Sequence, residues 1–167
     1  MSKRLEILKA LTDHLKGITP ANGYTHNLSN SVFRGRERFG DNHKQYLPMI
    51  SILEPKAPEF GMPANEEQTV RKDDWVLLIQ GWAKDDPLNP TDPAYLLVAE
   101  VEKRLSDIIA LNDRGQPIDK QSYRLGNKIA TLVLAAPIVR PPEDGLSDAA
   151  FFYLPIRIGH KVDIRNP

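Results

Sequence analysis

Residues 151–164 read FFYLPIRIGHKVDI, and this stretch decides the fold. Phe152, Leu154, Ile156, Ile158, Val162 and Ile164 occupy every second position, with His160 in phase. A period of two over so long a run predicts a strand with one face buried. Just upstream, residues 128–138 (KIATLVLAAPI) predict the other strand of a final pair. Pro141-Pro142-Glu143-Asp144-Gly145 supplies the connection.

Working back, residues 74–83 (DWVLLIQGWA) form the most apolar strand, which predicts a central position with both faces covered. Residues 46–54 alternate, with Leu47, Met49 and Ser51 on one face and Ile50 and Ile52 on the other. Pro48 suits a strand start or an edge. Residues 27–36 carry Leu28, Val32 and Phe33 in a polar setting and predict a further strand.

Two segments have helical spacing instead. Leu5, Leu8, Leu11, Leu15 and Ile18 recur at three and four, with Ser2 as N-cap and Gly17 and Pro20 as stop. Asn22-Gly23 marks a turn after it. Leu97, Val101, Leu105, Ile108 and Ile109 make the second stripe. That helix is expected over 93–111, about 28 Å long, capped by Thr91 or Asp92 with Pro93 first. Residues 112–126 are a polar connection, and 55–71 a long Pro- and Glu-rich loop. The order α-β-β-β-α-β-β predicts an α+β fold. We expect a single mixed, mainly antiparallel sheet of about five strands with two helices on one face, in one domain over 1–167.

Composition narrows the function. The 167 residues include 22 Lys+Arg and 22 Asp+Glu, for a net charge of zero. A general nucleic-acid binder normally carries a basic excess. Cysteine is absent, which excludes disulfides, thiolate metal clusters and a cysteine nucleophile. The 41% hydrophobic content supports a folded core. No apolar run reaches the ~18 residues of a membrane span. The N-terminal stretch lacks a signal-peptide apolar region, so the protein is expected to be made and kept inside a cell, or packed into something assembled there.

Catalytic patterns are scarce. His14, His26, His43 and His160 have no ligand spacing and read as surface or satisfied core residues. Glu54-Pro55-Lys56, with Asp41 upstream, matches the Glu-x-Lys of metal-dependent nucleases, which hold Mg²⁺ and polarise a water. Pro55 in the middle and Asp41 in a separate polar loop favour a solvated strand end instead. Phosphate-loop and serine-elbow motifs are missing. Arg34, Arg36 and Arg38, beside Phe33 and Phe39, form a small basic cluster for a salt-bridged loop, a subunit contact or a phosphate backbone. Asp73-Asp74 and Asp85-Asp86 flank the central strand. Adjacent strand residues point to opposite faces, so these pairs read as strand-end solubilisers.

Taken together, the first helix, Val32-Phe33-Arg34-Gly35-Arg36, the segment 47–54 and Gly81-Trp82-Ala83 carry a resemblance. Asp92-Pro93-Ala94-Tyr95, Glu100-Val101 and the closing run 151–158 extend it over nearly the whole chain. The chain resembles the tail terminator (tail completion, minor-tail-protein-U-like) family of long-tailed phages and prophages. The likeness lies in element order and style, and the chain is longer than the family pattern at 55–71 and 112–126.

The resemblance implies a virion structural protein at the head-proximal end of the tail, assembled in the host cytoplasm. It would form a homohexameric ring on the tail tube protein, stop tail polymerisation and offer a docking surface to connector and neck proteins at head–tail joining. It implies no enzyme activity, cofactor or metal, no membrane partner and no sequence-specific nucleic acid, though DNA may pass through the ring. Other neck, head-completion or tail-tube components share this setting.

A ring needs one patch to meet a different patch on the next subunit. Residues 85–113 carry a balance of −5, while 34–44 and 157–165 each carry +2. We therefore expect contacts at Arg34, Arg36, Arg38, Asp85, Asp86, Arg157 and Lys161. The loop 55–71, with Glu59, Phe60, Glu66 and Glu67, is expected to order against the tube or a neighbour.

Overall fold

A computed structural model describes residues 2–36, 47–56, 69–84, 86–143 and 149–167. The chain runs α1 (Lys3–Lys16), a 3-10 turn (Pro20–Asn22), β1 (Val32–Arg34), β2 (Met49–Leu53), β3 (Val70–Ala83) and α2 (Asp92–Ser106). A turn at Arg124–Asn127 then leads to β4 (Thr131–Leu134), β5 (Ile138–Arg140) and β6 (Ala150–Asp163). The fold is α+β with a mixed sheet of six strands and two helices, against the five strands expected.

β3 and β6 form the spine. They pair antiparallel from Val70↔Asp163 to Ala83↔Ala150. β2 adds antiparallel to β3, and the short β1 adds parallel to β2. On its other side β6 takes β4 against residues 156–159 and β5 against residues 151–153. β4 and β5 are the strand expected over 128–138, divided in two. Pro137 lies in the break and has no amide to donate. β3 and β4 both run antiparallel to β6, so β3–α2–β4 is a crossover with β6 inserted between its strands.

Period-two patterning places the core. Trp75, Leu77 and Ile79 of β3 and Leu154, Ile156 and Ile158 of β6 are buried with Ile50, Ile52 and Leu132. The helices supply Ile7, Leu11, Leu15, Leu97, Val101 and Leu105 to the same cluster, so both lie on one face. Each such side chain contributes about 2 kcal/mol of transfer free energy. Ser2 caps α1 as expected, its Oγ accepting from the Leu5 amide at 3.2 Å.

Several boundaries differ from expectation: the strand expected over 27–36 is only Val32–Arg34, and that over 46–54 is Met49–Leu53. α2 has 15 residues and ends at Ser106 rather than Leu111. Ile108 stays buried in the turn that follows, which explains why the apolar stripe outruns the helix. The loop expected over 55–71 ends earlier, because Val70 and Arg71 already pair in β3; residues 57–68 lie outside the described residues. No helix among the described residues is long and apolar enough to cross a membrane.

Candidate functional site

Among the described residues no helix covers the second face of the sheet, and this helix-free face carries the most unusual surface. Alternation sends Lys72, Asp74, Val76, Leu78, Gln80 and Trp82 of β3 to this side. The register lines up Leu53, Leu78 and Pro155 across three strands, and Val76, Arg157 and Val133 across another three. Val133 and Ile138 are 57% and 55% exposed. Leu53, Val76, Leu78, Tyr153 and Pro155 around them are half-buried.

One end of the face is basic. Lys72 and Lys161 lie directly opposite each other and are both exposed. Four residues along the strand on the same face, Arg157 Nε lies 3.6 Å from Asp74 Oδ2. At the other end Met49, Trp82, Ala149 and Phe151 make a second small buried cluster with Phe33, Leu47 and Tyr153 against it.

Other exposed apolar side chains lie in the turn before α2 and on that helix. Leu88 is 88% exposed, and Tyr95 and Leu96 on the outer side of α2 are 57% and 65% exposed. Asp86 builds the turn that projects Leu88. Its Oδ1 accepts from the Leu88 and Asn89 amides, both at 2.8 Å. Those two amides hold the Asp86 carboxyl below the usual carboxylate range.

The structure divides the expected basic cluster. Arg34 Nη1 donates to Thr12 Oγ1 of α1 at 3.0 Å, on the helix side. Arg36 stacks on the Phe33 ring at 4.4 Å, on the helix-free side. Residues i and i+2 of a strand share a face, but Gly35 at φ +70° ends β1 and redirects Arg36. Arg34 and Arg36 are therefore not one patch. Arg157 and Lys161, four residues apart in β6, share a face. Arg38, Glu59, Phe60, Glu66, Glu67 and Asp85 lie outside the described residues.

Glu54 and Lys56 are exposed beyond the end of β2, and Asp41 lies outside the described residues. Among the described residues no three His, Asp or Glu side chains gather to hold a metal ion.

Asp73 corrects a second expectation. It is buried rather than a solvated strand end, because it falls in phase with Trp75 and Leu77. Asp74 alone takes the exposed role. Arg4 donates to Asp73 Oδ2 at 3.0 and 3.2 Å, and Arg71 to Oδ1 at 2.7 Å. Burial works against the charge, yet Arg71 and Arg4 outweigh it and hold the carboxyl low. His160 lies across the strand pair with Nε2 3.8 Å from Asp73 Oδ2. Its burial, reinforced by Arg4, Lys3 and Arg71, pushes its pKa down in spite of Asp73. Neither His160 nitrogen nor Trp75 Nε1 has a hydrogen-bond partner among the described residues. The signal that could have found this centre was the phase of Asp73 and His160 in their strands.

Two other histidines serve the architecture. His14 is buried, with Nε2 2.7 Å from the Arg104 carbonyl, while Arg104 Nε donates to the His14 carbonyl at 2.8 Å. This reciprocal pair ties α1 to α2. His26 Nδ1 lies 2.9 Å from Glu100 Oε2, and the Thr25 and His26 amides donate to the same carboxylate. No protein-family model matches the chain, and no curated protein matches it.

Proposed function

We propose that the chain is a ring-forming virion subunit that caps the head-proximal end of a phage tail tube. In this role it stops tube growth and presents the surface to which connector and neck proteins join. It acts through interfaces, without chemistry of its own. One observation carries the reading most strongly. Among the described residues the sheet is covered by helices on one face and presents exposed apolar and basic side chains on the other, while the turn into α2 and the start of that helix expose Leu88, Tyr95 and Leu96 beside Asp86 and Asp92. Two unlike surfaces on one subunit are what a head-to-tail ring requires. The resemblance in element order points to the same role.

Negative-stain images of the purified protein, alone and mixed with tails lacking their terminal ring, test it. Uniform six-fold rings seated at one end of tubes of uniform length are expected. Tubes that keep growing in the presence of the protein would overturn the proposal.

A further inference from the structure

We propose that the turn leading into α2 docks onto the helix-free sheet face of a second copy of this chain, head to tail. This deepens the ring reading above and rests on it by naming the two surfaces that meet. The knob is Leu88 with Tyr95 and Leu96; the receiving face is Val76, Leu78, Val133 and Ile138.

Charge complementarity selects a second copy as the occupant. Residues 86–96 contain Asp86 and Asp92 and neither Lys nor Arg. The receiving face carries Lys72, Arg157 and Lys161 against Asp74. Lys72 and Lys161 stand directly opposite each other in the register, an arrangement that costs stability within the isolated sheet. Carboxylates from a neighbour offset that repulsion at the basic end of the face, while the apolar side chains further along the strands are covered. The knob is held in shape before contact, because Asp86 already ties the Leu88 and Asn89 amides. Little ordering remains to be paid on docking.

The placement also sets the symmetry. α2 buries Leu97, Val98 and Val101 toward the sheet, so Leu96 and Tyr95 face away from it. Tyr95 and Leu96 therefore lie on the opposite layer of the domain from the receiving face, with Leu88 in the turn that leads to them. A subunit that has used its knob still offers its face, so the contact propagates and ends only when a ring closes.

The absence of cysteine makes the test clean. A Leu88→Cys/Val133→Cys double variant is oxidised at high protein concentration. A second pair, Leu96→Cys/Ile138→Cys, is run in parallel. Within one chain Leu96 and Ile138 are on opposite layers, beyond the ~6 Å Cα separation a disulfide tolerates. A ladder of cross-linked multimers is expected from at least one pair. Single variants should remain monomeric, and equimolar mixtures of the two singles should stop at dimers. Asp92→Lys introduced into the double variant, which spares the Asp86 turn, should cut the yield several-fold at low salt, and Lys72→Glu/Lys161→Glu in the same background should restore it. Monomers from both pairs, or dimers as abundant from either single variant, would overturn the proposal. Tails capped without a ladder would leave the tail role standing and remove this contact. A ladder without capped tails would do the reverse.

Discussion

Gly81 and Phe152 face each other across β3 and β6, and a Cβ at Gly81 would run into the Phe152 ring. The ring fills the space that a side chain would take, deep in the main cluster. Gly81→Ala should therefore cost about 1–3 kcal/mol in chemical denaturation, with much of the loss recovered in Gly81→Ala/Phe152→Leu. Glu100 makes a prediction in pH. Burial disfavours its charge, but the Thr25 amide, the His26 ring and the His26 amide prevail and bring its pKa from 4.5 to about 2. A depressed folded-state pKa stabilises the fold above the unfolded value and loses that contribution as pH falls through the folded one. Stability should thus decline between about pH 4.5 and 2. Glu100→Gln should flatten that part of the profile and cost about 2 kcal/mol at neutral pH, read by urea titration across pH.

At the scale of elements, α1 is fastened at both ends. Arg4 reaches Asp73 on β3 and lies 4.7 Å over the Trp75 ring, while His14 and Arg104 exchange bonds near the C-terminus. Asp73→Ala leaves two arginines beside a buried site without their acid. It should cost about 3 kcal/mol and lower amide-exchange protection in the first turns of α1 more than in α2. These fastenings show what the sequence made legible. β6 and both helices follow from their apolar period, since burial on one face leaves that trace, and β3 from its continuous apolar run. The ends did not follow. Ile108 is buried from a turn, so its hydrophobicity extended the reading of α2 too far. β4 and β5 share one edge of β6, a tertiary arrangement with no local mark beyond Pro137. Asp73 carried the inward phase, but an acid in that phase needs its partners, and Arg4 is 69 residues away. Arg34 and Arg36 were grouped by spacing, and a single positive φ at Gly35 undid the grouping.

At the scale of the whole molecule, a head-to-tail ring has a consequence that a two-fold dimer lacks. A subunit without its knob can still accept a neighbour's knob on its sheet face, so it enters a growing ring and blocks the next addition. Leu88→Asp/Leu96→Asp removes the knob at two exposed positions, 88% and 65% accessible, and should leave the thermal midpoint within a few degrees of wild type. Mixed with wild-type protein, it should poison assembly far out of proportion to its share. If six sound contacts are needed, an equal mixture leaves roughly one ring in sixty made only of wild-type subunits, since each position is filled independently. Counting capped tails in negative stain while the variant fraction is raised measures this directly. A steep, roughly sixth-power fall is the expected curve. The Val133→Asp/Ile138→Asp variant, which keeps the knob and loses the face, should poison with the same steepness. A linear fall for both would mean that subunits add to the tail one by one, without contact between neighbours.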